Sequence, residues 1–291
     1  MRPNESSANE AVSALESVES LDPVALRIAE AVRKAVPVGA RRDVLSGTWL
    51  GHALHPPLTD VVVGSFTSAT LLDLLGGDDD GHAAERLIAV GLVASAPTVA
   101  SGLTDWALSV LGDRRTRPVG LMHAAANLTA SSLYLASLAA RRRGARGRGK
   151  LFAAAGGAVL AAGGYLGGHL SFTRGVGVNE TIFDEGPTEW TPVDSGELVD
   201  EKPNGVLAGD TPVLLFRHRG HLHAIHDRCS HRGCPLSGGE IDGHTVTCPC
   251  HGSRFSLLDG SVERGPASAP QPAFDVREHE GRIEVKLQGR A

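Results

Sequence analysis

The sequence predicts a two-domain chain of the α plus β class, a four-helix transmembrane bundle followed by a small all-β domain. Three observations predict it. The middle of the 291 residues holds long uncharged stretches rich in Ala, Gly and Leu, whereas the C-terminal part carries Asp and Glu in excess. All four cysteines fall in two short loops near the C-terminus. Short apolar runs bounded by Gly and Pro lead into those loops, which is how strands read. The length allows two domains, and the expected boundaries are 1–50 for an N-terminal tail and amphipathic helix, 51–178 for the membrane domain and 179–291 for the β domain.

Met1–Ser20 is polar and acidic, offers no hydrophobic run of the signal-peptide kind, and is expected to lack fixed structure. Asp22-Pro23 makes a good N-cap and first turn. Val24, Ile28, Val32 and Val36 then keep helical spacing until Pro37 stops it. This predicts a short amphipathic helix, lying on a membrane surface or packed against the C-terminal domain. Leu87–Thr104, Val119–Ala140 and Leu151–Thr173 contain no Asp, Glu, Lys or Arg, and each is long enough to cross a bilayer. Leu58–Leu75 is a weaker fourth candidate because it contains Asp60 and Asp73. A soluble, Ala-rich helical bundle is the alternative.

In four antiparallel helices, the start of the first and third and the end of the second and fourth share a face. His55 opens the first helix, Asp105 is near the end of the second, His123 is early in the third and His169 is late in the fourth. Ionisable groups at membrane depth are costly and point to function. Imidazoles at one level could hold a haem b or a quinone; interhelical hydrogen bonds are the ordinary reading. Gly163-Gly164-Tyr165-Leu166-Gly167-Gly168 allows close helix approach or room for a flat ring. With Gly51-His52-Ala53-Leu54-His55-Pro56 and His123-Ala-Ala-Ala-Asn127, the region from about Gly51 to Val178 resembles an uncharacterised family of four-helix bacterial membrane proteins. That resemblance implies a multi-pass topology and a bacterial cell membrane, with lipid as a partner. Six basic residues in Arg141–Lys150 argue for a cytoplasmic loop, while Arg41, Arg42, Arg114, Arg115 and Arg117 argue the other way, so charge leaves the side of the C-terminal domain open.

The strongest pattern is Cys229-Ser-His231-Arg-Gly233-Cys234, then Cys248-Pro-Cys250-His251-Gly252-Ser253, with sixteen residues between His231 and Cys248. Cys-x-His followed by Cys-x-x-His suits a [2Fe–2S] centre with two thiolates on one iron and two imidazoles on the other. Soft, charged thiolates stabilise iron–sulfur clusters, and neutral imidazoles in place of two of them raise the potential. Structural zinc is the rival, but its cysteines are usually paired as Cys-x2-Cys, and here the spacings are four and one. Gly233 and Gly252 let each loop curl so that amides can face the sulfurs.

On these motifs, the stretch from roughly Glu189 to Leu287 resembles the Rieske [2Fe–2S] family. The resemblance implies that Cys229, His231, Cys248 and His251 are the metal ligands. It also implies a Cys234–Cys250 disulfide, as in members of the cytochrome bc type, with two free, partly buried thiols as the alternative. Thr211–Phe216 and His221–Ile225 would form a hairpin around Arg219-Gly220, and Gly265-Pro266-Ala267 matches the family's proline loop over the cluster. Ser253 matches a serine that hydrogen-bonds a cluster sulfur; Phe255 stands where high-potential members carry tyrosine, which implies a potential in the middle of the family's range. The forty residues after His251 leave no room for a 2-His-1-carboxylate iron domain, so an electron carrier is expected and not an oxygenase catalytic subunit. The expected function is single-electron transfer by a membrane-anchored protein, between a membrane haem or quinone and a redox partner protein. Quinol oxidation by the chain itself, or redox or iron sensing, are the alternatives. Nucleic acid is not an expected partner.

Overall fold

The structure is a computed structural model and describes residues 7–194 and 198–289. It divides into two compact units, Met1–Ala35 with Leu54–Val176, and Val36–Ala53 with Gly177–Ala291. Seven α-helices are present among the described residues, rather than a bundle of four and one flanking helix. They are α1 (Ser7–Glu16), α2 (Asp22–Ala35), α3 (Ala40–Ser46), α4 (His55–Leu75), α5 (Gly81–Ser109), α6 (Thr116–Arg142) and α7 (Arg146–Gly168). All but α3 belong to the first unit.

Among the described residues three helices are long and apolar enough to cross a membrane: His55–Leu75, Gly81–Ser109 and Arg146–Thr173, the last extended by a π turn. The uncharged run in α6 is diluted by His123, Asn127, Ser131, Ser132 and Ser137, and α6 is not among them. The weakest sequence candidate, α4, is. Its Asp73 is no isolated charge, because it is buried against Arg141 of α6, the two side chains being 5% and 3% exposed. The bundle core centres on Phe66 and Tyr134, whose rings stack at 3.9 Å, with Val62, Ile88, Ala153 and Leu160 around them. Gly91 and Gly156 sit against those rings where a Cβ would press into them.

Two N-terminal expectations change. Residues 1–6 of the segment expected to lack structure lie outside the described residues, but residues 7–16 form α1. It is held by Val12 against Val119 and Leu170, and by Glu16, which bonds His169 and Arg174. Helix α2 has the predicted extent, but its buried stripe is Ala25 and Ala29 against Trp106, Ala107 and Val110 of α5 and its end, while Val24 and Ile28 remain exposed. Small alanines let the two backbones approach, and Asp22 accepts from Arg114 and Arg117 at 2.8 and 3.0 Å.

The second unit is two antiparallel sheets. The larger has β1 (Thr191–Pro192), β2 (Asn204–Ala208), β3 (Thr211–His218), β4 (His221–His226), β9 (Ala273–His279) and β10 (Arg282–Leu287) in the order β1-β10-β9-β4-β3-β2. The smaller runs β5 (Glu240–Asp242), β6 (Thr245–Thr247), β7 (Arg254–Ser256), β8 (Val262–Arg264). The predicted hairpin turns at Arg219 and Gly220, with φ of 50° and 82°, as a two-residue turn between twisted strands requires. Alternation splits the apolar residues of the hairpin. Leu214, Phe216 and Ile225 face Val246 and Phe255 of the small sheet, and Val213, Leu215 and Ala224 face a second core with Phe274 and Val285.

Candidate metal centre

Two loops present the predicted ligands, one leaving β4 and one joining β6 to β7. They close the same way. In the first, the Cys229 amide donates to the Cys234 carbonyl at 2.9 Å and the Gly233 amide to the Cys229 carbonyl at 2.8 Å. In the second, the Cys248 amide donates to the Ser253 carbonyl at 2.8 Å and the Gly252 amide to the Cys248 carbonyl at 3.0 Å. Gly233 and Gly252 adopt φ of 68° and 78°, the left-handed region that a side chain disfavours. The amides of His231 and Arg232 consequently point at the Cys229 sulfur, and those of Cys250 and His251 at the Cys248 sulfur.

Cys229 and Cys248 are 1% and 2% exposed, and the rings of His231 and His251 lie 5.0 Å apart at 83°. Cys234 and Cys250 form a disulfide between the loops, with Cα atoms 6.4 Å apart. Asp227 pins the end of the first loop by accepting from the Ser237 amide and hydroxyl at 2.6 and 2.8 Å. A hydrogen bond between the two ligand-type thiols raises the pKa of Cys229 and favours the thiolate at Cys248. Burial, with His251, Arg232 and Arg42 nearby, lowers His231 to about 3, so its ring is neutral. Thiolate and neutral imidazole are the forms that bind metal.

His231 Nδ1 is buried without a hydrogen-bond partner among the described residues, a costly state for a ring nitrogen unless something coordinates it. Two buried sulfurs met by amides and a facing pair of imidazoles fit a [2Fe–2S] group. Ala267 of the Gly265-Pro266-Ala267 loop packs in the same core as Cys229 and Cys248. Ser253 is fully buried and accepts from the Ala267 amide at 3.0 Å, and the Ser230 hydroxyl donates to the Ala269 carbonyl at 2.7 Å. Phe255 is fully buried in the same core as Cys229 and Cys248.

Sequence reasoning missed the segment that carries α3. It joins this unit, where Asp43 accepts from the Gly265 amide at 3.0 Å and Thr48 donates to the Ala267 carbonyl at 3.2 Å. Val38 lies against Gly252, and Arg42, 5% exposed, donates to the Val36 carbonyl at 3.2 and 2.8 Å. No local signal marks Asp43 and Thr48, since their partners lie more than two hundred positions away in the chain.

In the first unit, His55 and His123 come together, with ring centroids 6.4 Å apart at 78°. Each holds a backbone carbonyl through Nδ1: His55 that of Thr98 at 3.0 Å, His123 that of Gly163 at 2.8 Å. His169 is engaged elsewhere. Its Nε2 meets Glu16 at 2.6 Å, beside Arg174 on the same carboxylate.

Residues 189–275 match the family described as Rieske [2Fe-2S] domain, and residues 51–180 match the family described as predicted membrane protein (DUF2231). The anthranilate 1,2-dioxygenase ferredoxin subunit of Burkholderia cepacia is 31% identical over 34% of this chain and 93% of its own length. The 3-phenylpropionate/cinnamic acid dioxygenase ferredoxin subunit of Escherichia coli (strain K12) is 39% identical over 31% of this chain and 88% of its own. Among solved structures, the ferredoxin of carbazole 1,9a-dioxygenase from Nocardioides aromaticivorans IC177 is 24% identical, covering 34% of this chain and 98% of that one with a TM-score of 0.32.

Proposed function

The chain belongs to the Rieske [2Fe–2S] family, and from that premise we propose that it is a multi-pass, membrane-anchored carrier of single electrons whose cluster is held by Cys229, His231, Cys248 and His251. Electron transfer with a redox partner protein follows from the family. The membrane location is supported by the match over residues 51–180 and by the three apolar helices. A bacterial cell membrane, with lipid around the helices, is the setting that suits the two together. The relatives' names make an oxygenase the first partner class to test.

The observation that carries this reading is the convergence of two buried cysteines and two imidazoles from loops closed by the same pair of hydrogen bonds. When bound, the group supplies one-electron chemistry. The protein's part is to bind, shield and tune. Cys229 and Cys248 would hold one iron and His231 and His251 the other. The disulfide and the Ser253–Ala267 bond keep the loops and their cover in place, and Leu214, Phe216, Ile225 and Phe255 exclude water beneath. The edges of His231 and His251 would be the port for electrons. In detergent-purified protein, His231→Cys or Cys248→Ser should abolish the rhombic Rieske EPR signal; an unaltered signal in either variant would sink the assignment.

A second reading rests on the His55–His123 pair. With Nδ1 of each ring on a carbonyl, Nε2 is the nitrogen left with a lone pair. A haem b or a quinone between these helices would feed the cluster. A Soret band lost in His123→Leu supports haem, and cluster reduction by a quinol analogue, lost in the same variant, supports quinone. With neither, the two rings serve as interhelical hydrogen-bond donors.

A further inference from the structure

Four histidines outside the ligand loops meet where the β3–β4 hairpin faces the turn between β5 and β6. His218 closes β3 and pairs with His221, while Phe216 pairs with His223, so all three imidazoles share the face that carries Phe216. His244 comes from the other sheet. Its ring lies 5.2 Å from that of His218 and 5.0 Å from that of His223, at 78° and 87°. The His231–His251 pair stands in nearly the same relation, 5.0 Å and 83°.

The surroundings suit a cation. His218 Nδ1 bonds Glu201 at 2.8 Å, and the other oxygen of that carboxylate accepts from the Arg219 amide at 3.0 Å. A carboxylate on one ring nitrogen fixes the tautomer and leaves the other nitrogen as a lone-pair donor, as behind most metal-bound histidines. Among the described residues His223 Nε2 has no hydrogen-bond partner, although it is buried. Burial, then the rings of His244, His218 and His221, lower the pKa of His223 and keep it neutral. A groove of about 540 Å³ runs along these rings. Two of its arginines are already committed, Arg217 to Glu278 at 2.9 Å and Asp200 at 3.4 Å, Arg277 to Glu284 at 2.7 Å and the face of Trp190 at 4.3 Å. An anion would find less free positive charge there than a metal ion finds lone pairs. Among the described residues no three donors yet converge on one point, and the exposed His244 is the ring that must turn to complete the set.

We propose that His218, His223 and His244, with His221 at the rim, form a second metal site that takes one divalent transition ion of the zinc or copper kind. Neutral imidazoles suit Zn2+, Cu2+ and Ni2+ and are poor ligands for Mg2+ and Ca2+. Such an ion would tie the hairpin of one sheet to a turn of the other.

The test is calorimetric titration of Zn2+ into the full chain, purified in detergent with its cluster in place, with metal counted after dialysis. Wild-type protein should take up a single extra Zn2+ with micromolar affinity or better. His244→Gln should weaken uptake at least about 10-fold, and Glu201→Gln by about 10- to 100-fold, as loss of an outer-shell partner does. The cluster's EPR signal should stay unchanged in both, which separates this site from the ligand loops. Because His244 is exposed, its variant should unfold at the wild-type temperature when metal-free. Equal affinity in wild type and His244→Gln would mean scattered surface binding and overturn the site, as would no uptake at millimolar Zn2+.

Discussion

The Ser253 hydroxyl is fully buried and accepts a hydrogen bond from the Ala267 amide at 3.0 Å. A hydroxyl has one proton to give, and in a loaded centre a cluster sulfur is its proposed acceptor. The reduced cluster is the more negative form, so that bond favours reduction. A hydrogen bond to a charged group is worth roughly 1.5–3 kcal/mol, and part of that, spent on one electron, is on the order of 50–100 mV. Ser253→Ala should therefore lower the midpoint potential by this amount in protein-film voltammetry, and Phe255→Tyr should raise it by adding a donor. Opposite signs would show that neither side chain faces the cluster. At this scale the convergence of Cys229, His231, Cys248 and His251 was legible, because their spacing places one Cys and one His on each of two tight loops. The Ser253–Ala267 bond was not legible, since it depends on where a distant loop folds back.

Between the two ligand loops the disulfide closes a separation of 16 residues. A cross-link of that span stabilises by about 3 kcal/mol in the chain-entropy account. Alkylation of oxidised, folded protein without reductant should label neither Cys234 nor Cys250 in mass spectrometry. Replacing both by Ser should speed bleaching of the visible cluster absorption; a rate equal to wild type would show that the loops hold without the bridge. The segment around α3 gives a parallel test. Asp43→Ala and Thr48→Val each remove a bond to the proline loop, worth about 1 kcal/mol, and should accelerate bleaching as well. Unchanged rates would make the segment a bystander. Helix α2 and the β3–β4 hairpin could be read from Asp22-Pro23 and Arg219-Gly220 because caps and turns are local. Helices α1 and α3 could not, because Glu16 finds His169 across 153 residues and Asp43 finds Gly265 across 222. Even in α2, spacing gave the helix but only part of the stripe: Val32 packs as expected, while exposed Val24 and Ile28 drew attention from the small Ala25 and Ala29.

For the whole molecule, the helical unit rests on one buried charge pair as well as on its apolar core. Arg141→Gln leaves Asp73 unpaired inside the bundle, which typically costs 3–5 kcal/mol, whereas removing both charges is often close to neutral. The single variant should unfold at a clearly lower temperature in detergent, and Arg141→Met with Asp73→Leu should recover most of the loss. A single variant as stable as wild type would mean that the pair is solvated. The Rieske domain implies electron transfer, and the match over residues 51–180 supports a membrane location. The most direct measurement is EPR of the reduced, full-length protein purified in detergent. The expected result is a rhombic signal of Rieske type, with two iron atoms per chain by metal analysis, lost in Cys248→Ser. Protein that is folded and disulfide-bonded but gives no such signal after cluster reconstitution, or that carries zinc in these loops instead, would contradict it.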